Sequence, residues 1–375
     1  MIAKQCGYSV ATVSKALNNA PDISAETAER IRRTASEMGY TPNAAARMLK
    51  TSRSYSLGVL FEDASNRGLT HVFFSKILNS FKHRAEERGY DIYFISDRVG
   101  GLEMSYSEHA KYRNCDGVII ASVDFAEHAV MDLANSGIPV VTIDHVIANC
   151  GCVESDNLRG MEDLVRYIYS MGHRKIAFIH GEDTAVTRHR VASFCRTCLE
   201  LGLEIPDGYL IPSVYTSPDT SAMHTKHLLS LPDPPSCIIY PDDFSYIGGS
   251  NQIEKMGLRI PEDISAAGYD GADVGQMFRP RLTTIRQDAD RMGELAADEL
   301  IRAVEEGRTY IPQKILVPGE LLPGQTVKNI NPCQFIITIK GLALLWCSSG
   351  KDEHPHSFVV LGRYCHQQNK KEEKQ

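Results

Sequence analysis

The chain has 375 residues, 43% of them hydrophobic and 23% charged, with a formal net charge of -7. That is the composition of a globular protein of two or three domains and excludes a fibrous or low-complexity chain. No apolar run opens the sequence as a secretory signal would. The longest apolar stretch near the end, residues 341–347, is too short for a membrane span, so a cytoplasmic protein with its ten cysteines reduced is expected.

The charge is uneven: residues 1–53 carry +4, residues 328–375 carry +3 and the middle carries -14. A basic head on an acidic body suits a nucleic-acid module joined to a domain with another task. Two cysteine pairs, Cys150/Cys152 and Cys195/Cys198, lack a second Cys/His pair at zinc-finger spacing, so no metal is expected. No cofactor is expected either.

In chain order, residues 2–8 read as the end of a first helix, cut short at its start, and a Gly-containing turn. Ser9 is placed to cap the helix that follows. In residues 9–18, Val10, Val13 and Leu17 form an apolar stripe, and Ala11, Thr12, Ser14, Lys15 and Asn18 a small, polar opposite face with one cation. A helix entering a groove about 12 Å wide needs such a face. The arrangement is that of a helix-turn-helix, with 9–18 as recognition helix; an ordinary αα corner is the plainer reading. Ser24 caps a third helix over 25–38, and Ser24 and Thr27 are placed to donate to phosphates.

Residues 41–50 begin with Pro42 and an alanine run and span only about two turns, marginal for an isolated helix. They fit a minor-groove wedge led by Leu49, or a linker helix.

From 55 to 327, apolar strands (56–61, 91–95, 116–121, 139–143, 175–180, 236–240, 264–268) alternate with helices (73–88, 158–171, 190–201, 221–231, 246–256). The pattern predicts two doubly wound parallel-sheet lobes with a ligand in the cleft between them. Polar residues stand at the strand ends: Glu62, Asp63, Ser96, Asp97, Ser122, Asp144, Asp242, Asp243 and Asp270. Carboxylates there suit a ligand rich in hydroxyls, although strand-end acids also cap helices. Arg190 is a cation able to anchor such a ligand by its fork of donors, or the solvated start of a helix.

These segments together resemble the lactose/galactose repressor (LacI/GalR) family of bacterial transcription regulators. The resemblance rests on Ser9-Val-Ala-Thr-Val-Ser-Lys-Ala-Leu-Asn18, Gly39-Tyr-Thr-Pro-Asn43, Leu57-Gly-Val59, Gly89-Tyr90, Asp116-Gly-Val-Ile119, Ile138-Pro-Val-Val141, Asp156-Asn157, Gly172-His-Arg-Lys-Ile176, Gly268-Tyr-Asp270 and Leu282-Thr-Thr-Ile-Arg-Gln-Asp288. It runs in order from residue 2 to about 327.

It implies a helix-turn-helix headpiece (1–40), a hinge helix and linker (41–54) and a two-lobe core of the type 1 periplasmic-binding-protein fold (55–327). Lobe 1 would span about 55–152 and 285–312, and lobe 2 about 153–284 and 313–327. It further implies a homodimer, or a dimer of dimers, on a near-palindromic operator. Val10, Ala11 and Lys15 match base-reading positions. Ser9 belongs to the same DNA-binding segment, and Thr12, Ser14, Asn18, Ser24 and Thr27 match phosphate-contacting positions. Asn43, Ala46 and Leu49 match the hinge helix. Phe73, Asp144, Arg190, Tyr215, Asp242 and Asp270 match positions that bind a small-molecule effector, expected to be a sugar or sugar derivative.

Two positions depart from the family: Ser193 stands where Gly is usual and Asp242 where Asn is common. Residues 328–375 have no family counterpart and are expected to be a disordered appendage. A rival reading is a solute receptor of a transport system, which shares the core but lacks a DNA-binding head. An enzyme is not expected, because no Gly-rich phosphate loop or nucleophile elbow is present.

Overall fold

The computed structural model describes residues 1–17, 20, 22–40, 48, 53–62 and 68–331, and the backbone of three short strands beyond them. The first three helices, α1 (Ile2–Cys6), α2 (Val10–Leu17) and α3 (Ala25–Glu37), enclose a small core of Ile2, Cys6, Val13, Ala16, Ala28, Ile31 and Ala35. Ser9 caps α2: its hydroxyl accepts the Thr12 N–H at 3.0 Å. Ser24 caps α3 in the same way through the Thr27 N–H at 3.3 Å.

The inner stripe of α2 differs from expectation. Val10 is 76% exposed, and Ala16, wholly buried, takes its place beside Val13. At roughly 100° per residue, Val10 points about 90° away from the line midway between Val13 and Ala16.

The chain divides into two compact units, one of residues 1–155 and 288–317, the other of residues 156–287 and 318–375. In unit 1, six parallel strands lie in the order Lys314–Val317, Gly151–Ser155, Val140–Ile143, Gly117–Ala121, Ser56–Phe61, Asp91–Ile95. Chain order reverses beside Ser56–Phe61, the switch point at which such sheets hold ligands. Helix Ala289–Glu306 lies against helix Val72–Glu87 and gives Met292, Ala296, Leu300 and Ile301 to a core shared with Leu57, Val59, Ile119 and Val153. Helices Tyr106–Tyr112, His128–Ala134 and Ala289–Glu306, and strands Gly151–Ser155 and Lys314–Val317, add to the predicted elements.

In unit 2, four parallel strands lie in the order Ser265–Ala267, Cys237–Ile239, Ile176–His180, Leu210–Pro212. Chain order reverses here beside Ile176–His180. Two helices begin earlier than predicted because their caps lie further upstream. Ala185–Glu200 is capped by Thr184, so Arg190 sits in its second turn rather than at its start. Asp243–Lys255 is capped by Asp242. Helix Pro218–Leu229 packs so closely on the latter that a Cβ on Gly248 would stand 1.8 Å from the Pro218 carbonyl oxygen.

The segment after Val327 is tied to the rest of unit 2. Lys328 N–H donates to the Ser265 hydroxyl at 3.0 Å and Ile330 N–H to the Met171 carbonyl at 2.8 Å. Beyond it, the expectation of a disordered tail meets three antiparallel strands, Phe335–Ile339, Leu342–Trp346 and Val359–Leu361. The β-branched run Phe335-Ile-Ile-Thr-Ile339 is the local reason for the first of them.

Candidate functional site

On the headpiece, Ser9, Val10, Ala11 and Lys15 are exposed, and Thr12 and Ser14 are partly so. They lie on the outer side of α2, away from its Val13–Ala16 seam. A small, mostly uncharged ridge with a single ammonium can approach base edges closely. That ammonium pairs with Asp22, which follows the loop after α2. Ser24 and Thr27 lie together at the start of α3, their hydroxyls 2.9 Å apart. Asn18, Asn43, Ala46, Leu49 and Asp63 lie outside the described residues.

In unit 2, the predicted residues Arg190, Tyr215 and Asp270 come together at the carboxyl ends of the strands. Arg190 is 3% exposed. Its Nε donates to Asn157 Oδ1 at 2.8 Å and its Nη1 to the Pro241 carbonyl at 3.1 Å. Its Nη2 stands 3.8 Å from Asp270, and its guanidinium lies 3.6 Å from the centre of the Tyr269 ring. A buried cation needs this degree of engagement, and the planar group supplies it by forking and stacking at once. Tyr215 lies 5.9 Å from the same guanidinium and hydrogen-bonds Thr187 at 2.8 Å; burial pushes its phenol above the ordinary value. Gly181 makes room for that ring, since a Cβ there would come within 2.0 Å of it.

Asp270 has φ +99 and accepts from Gln287 Nε2 at 2.7 Å, with 19% of its side chain exposed. At the strand ends of unit 1, Ser122 (φ +54) and Asp144 (φ +56) share that left-handed backbone. Such conformations persist where the surroundings impose them, and they concentrate at functional sites.

The other matched positions take different places. Asp242 is 1% exposed, and its carboxylate accepts four hydrogen bonds, from Phe244 N, Ser245 N, Ser245 Oγ and Thr216 N, at 2.7–2.9 Å. That saturates the group as a helix cap and tie to residue 216. In unit 1, Phe73 is 8% exposed within the core, while the part-buried Phe74 meets Phe61 at the strand end, ring centres 5.8 Å apart. The Asp144 carboxylate accepts the Ser155 N–H at 2.8 Å.

Asn157, Thr187, Tyr269 and Gln287 also join the constellations around Arg190 and Asp270. Asn157, Tyr269 and Gln287 lie within sequence motifs quoted above, and that is the signal that could have found them.

Beside Asp242, Asp243 is wholly buried, its two oxygens 2.7 Å from the Thr284 hydroxyl and the Ala272 N–H. Burial, reinforced by the charge of Asp270, holds its pKa well above the ordinary carboxylate range. Among the described residues, no three His, Cys, Asp or Glu side chains are grouped to hold a metal, and no helix is long and apolar enough to cross a membrane.

A helix-turn-helix headpiece joined to parallel-sheet units with polar, cation-anchored strand ends defines the class of effector-responsive DNA-binding regulators. Residues 2–43 match the bacterial regulatory proteins of the lacI family, and residues 165–327 match the periplasmic binding protein-like domain. The probable HTH-type transcriptional repressor ExuR of Bacillus subtilis (strain 168) is 29% identical over 339 residues, 88% of this chain and 98% of its own. The lac repressor dimer bound to operator and the anti-inducer ONPF superposes with a TM-score of 0.71 at 23% identity, over 87% of this chain and 98% of that one. The complex of the transcriptional regulator CelR with cellobiose superposes at 0.64, with 23% identity and coverage of 87% and 98%. The chain thus pairs a headpiece that matches the lacI family with a periplasmic-binding-protein-like domain, and it is a DNA-binding transcriptional regulator under effector control.

Proposed function

We propose that the chain is a repressor that binds a near-palindromic operator as a homodimer or a dimer of dimers and responds to a sugar or sugar derivative. The observation that carries the effector class is the strand-end constellation of unit 2. A guanidinium held in place by stacking on Tyr269 and set against Asp270 brings donors and an acceptor into one small region. Vicinal hydroxyls satisfy such a set as donor and acceptor together. The CelR complex, which carries cellobiose, supports the same class. Arg190, Tyr215 and Asp270 contact the effector in this reading. Asp242 supports them as a cap.

On the headpiece, Val10, Ala11 and Lys15 read base edges. Ser9 caps the recognition helix, Thr12, Ser14, Asn18, Ser24 and Thr27 contact the phosphates, and Asn43, Ala46 and Leu49 serve as the hinge and minor-groove lever. The test is a thermal-shift screen of the full chain against monosaccharides, disaccharides, uronates and nucleobases, followed by DNA binding with and without each hit. A sugar-class hit that shifts melting and alters DNA binding, and loses both effects in Arg190→Ala, is expected. Stabilisation by nucleobases alone would overturn the sugar assignment.

A further inference from the structure

The one ammonium on the outer ridge of α2 has a partner that the helix-turn-helix pattern does not require. Lys15 Nζ is ion-paired with Asp22 Oδ2, seven positions along the chain and immediately before the capped start of α3. Both side chains are about half exposed, 49% for Lys15 and 54% for Asp22. The pair therefore sits on the surface that meets DNA and is not part of the buried seam. A lysine is a flexible point charge that serves a phosphate as readily as a base edge. Fixing its head group against a carboxylate takes away both its reach and part of its attraction to phosphate, which carries the same sign of charge as Asp22. A base edge with two adjacent acceptors remains a directional partner for the N–H groups that the carboxylate does not use.

We propose that Asp22 is a specificity-determining residue, which restrains Lys15 from indiscriminate phosphate contact and directs it to base edges. This rests on the reading of Lys15 as a base-contacting residue. Asp22 itself touches no base; it acts through Lys15. The proposal explains why a headpiece that needs positive charge keeps an acid beside its recognition helix.

The experiment uses the full chain and two duplexes: one enriched by the protein from a library with a randomised palindromic core, and a shuffled duplex of the same composition. Both affinities are measured across a salt series for wild type, Asp22→Asn, Glu26→Gln and Lys15→Ala. Glu26 is an exposed acid of the first turn of α3, so its variant removes a charge without releasing Lys15. Asp22→Asn is expected to tighten binding to the shuffled duplex and to steepen its salt slope by about one, the signature of one added phosphate contact. The preference for the enriched duplex should fall by up to about fivefold, the ceiling for an exposed pair. Glu26→Gln should leave that preference unchanged.

The proposal is overturned if Asp22→Asn shifts both duplexes by one factor, as Glu26→Gln does, or leaves the slope unaltered. Lys15→Ala distinguishes the two levels. If it leaves the preference intact, base reading by Lys15 fails. If it lowers the preference while Asp22→Asn does not, only the role of Asp22 fails.

Discussion

Two adjacent aspartates show how position decides what a carboxylate does. Asp242 caps a helix with four accepted hydrogen bonds; Asp243, one residue on, has its oxygens against one hydroxyl and one N–H in a fully buried place. Replacing Asp242 by Ala removes the cap and leaves the Thr216 N–H buried without its acceptor. A loss of about 2–4 kcal/mol in urea unfolding is expected. Asp243 behaves in the opposite sense. Its folded pKa lies above the ordinary 3.8, so over that interval the folded protein keeps a proton that the unfolded chain has released. Its contribution to stability is then fully present below the ordinary value and is lost as pH rises past it, at up to about 1.4 kcal/mol per pH unit. Asp243→Asn, which can donate to Thr284 and accept from Ala272, should flatten that decline in urea midpoints taken across a pH series. An unchanged slope would show that the decline arises elsewhere. The sequence marked both aspartates as strand-end acids but could not separate them, because the Thr216 and Thr284 groups that distinguish them lie 26 and 41 positions away.

Among the elements, those with a strong local signal were legible. The Ser9 and Ser24 caps and most core strands stand where periodicity and capping chemistry put them. Helix Ala289–Glu306 was missed although its Asp288 cap and its stripe of Met292, Ala296, Leu300 and Ile301 were legible in the sequence. Val10 was assigned inward because it is apolar, yet the seam chose the smaller Ala16, the residue that lets α2 and α3 approach. Ala16→Leu should therefore overpack the headpiece, costing about 1–3 kcal/mol. DNA binding should fall while effector-induced stabilisation of the remainder persists. Helix Asp243–Lys255 carries two consecutive glycines, against propensity, because the Pro218 backbone leaves Gly248 no space for a side chain and the Tyr240 ring leaves Gly249 none. Gly248→Ala is expected to lower the melting temperature of unit 2 sharply and to reduce effector binding with it. A silent substitution would mean that the two helices can separate at little cost.

For the whole molecule, charge is divided between a positive head and a negative body. Affinity for any duplex should thus drop by orders of magnitude between roughly 50 and 200 mM salt, while effector affinity changes little. Effector at a hundred times its Kd should stabilise the folded chain by about 2.7 kcal/mol, read as a rise in melting temperature that Arg190→Ala abolishes.

The discontinuity of unit 1 has a consequence for biogenesis. When residue 155 leaves the ribosome, strand Gly151–Ser155 has no neighbour on its outer side, and the hollow that Met292, Ala296 and Leu300 will fill is bare. Residues 156–287 must all be polymerised first, on the order of ten seconds of translation. Throughout that interval the nascent chain displays a sticky apolar slab and an open β-edge. A polypeptide halted at residue 155 should aggregate where the finished one does not, and rapid synthesis or holdase chaperones should govern how much regulator a cell recovers.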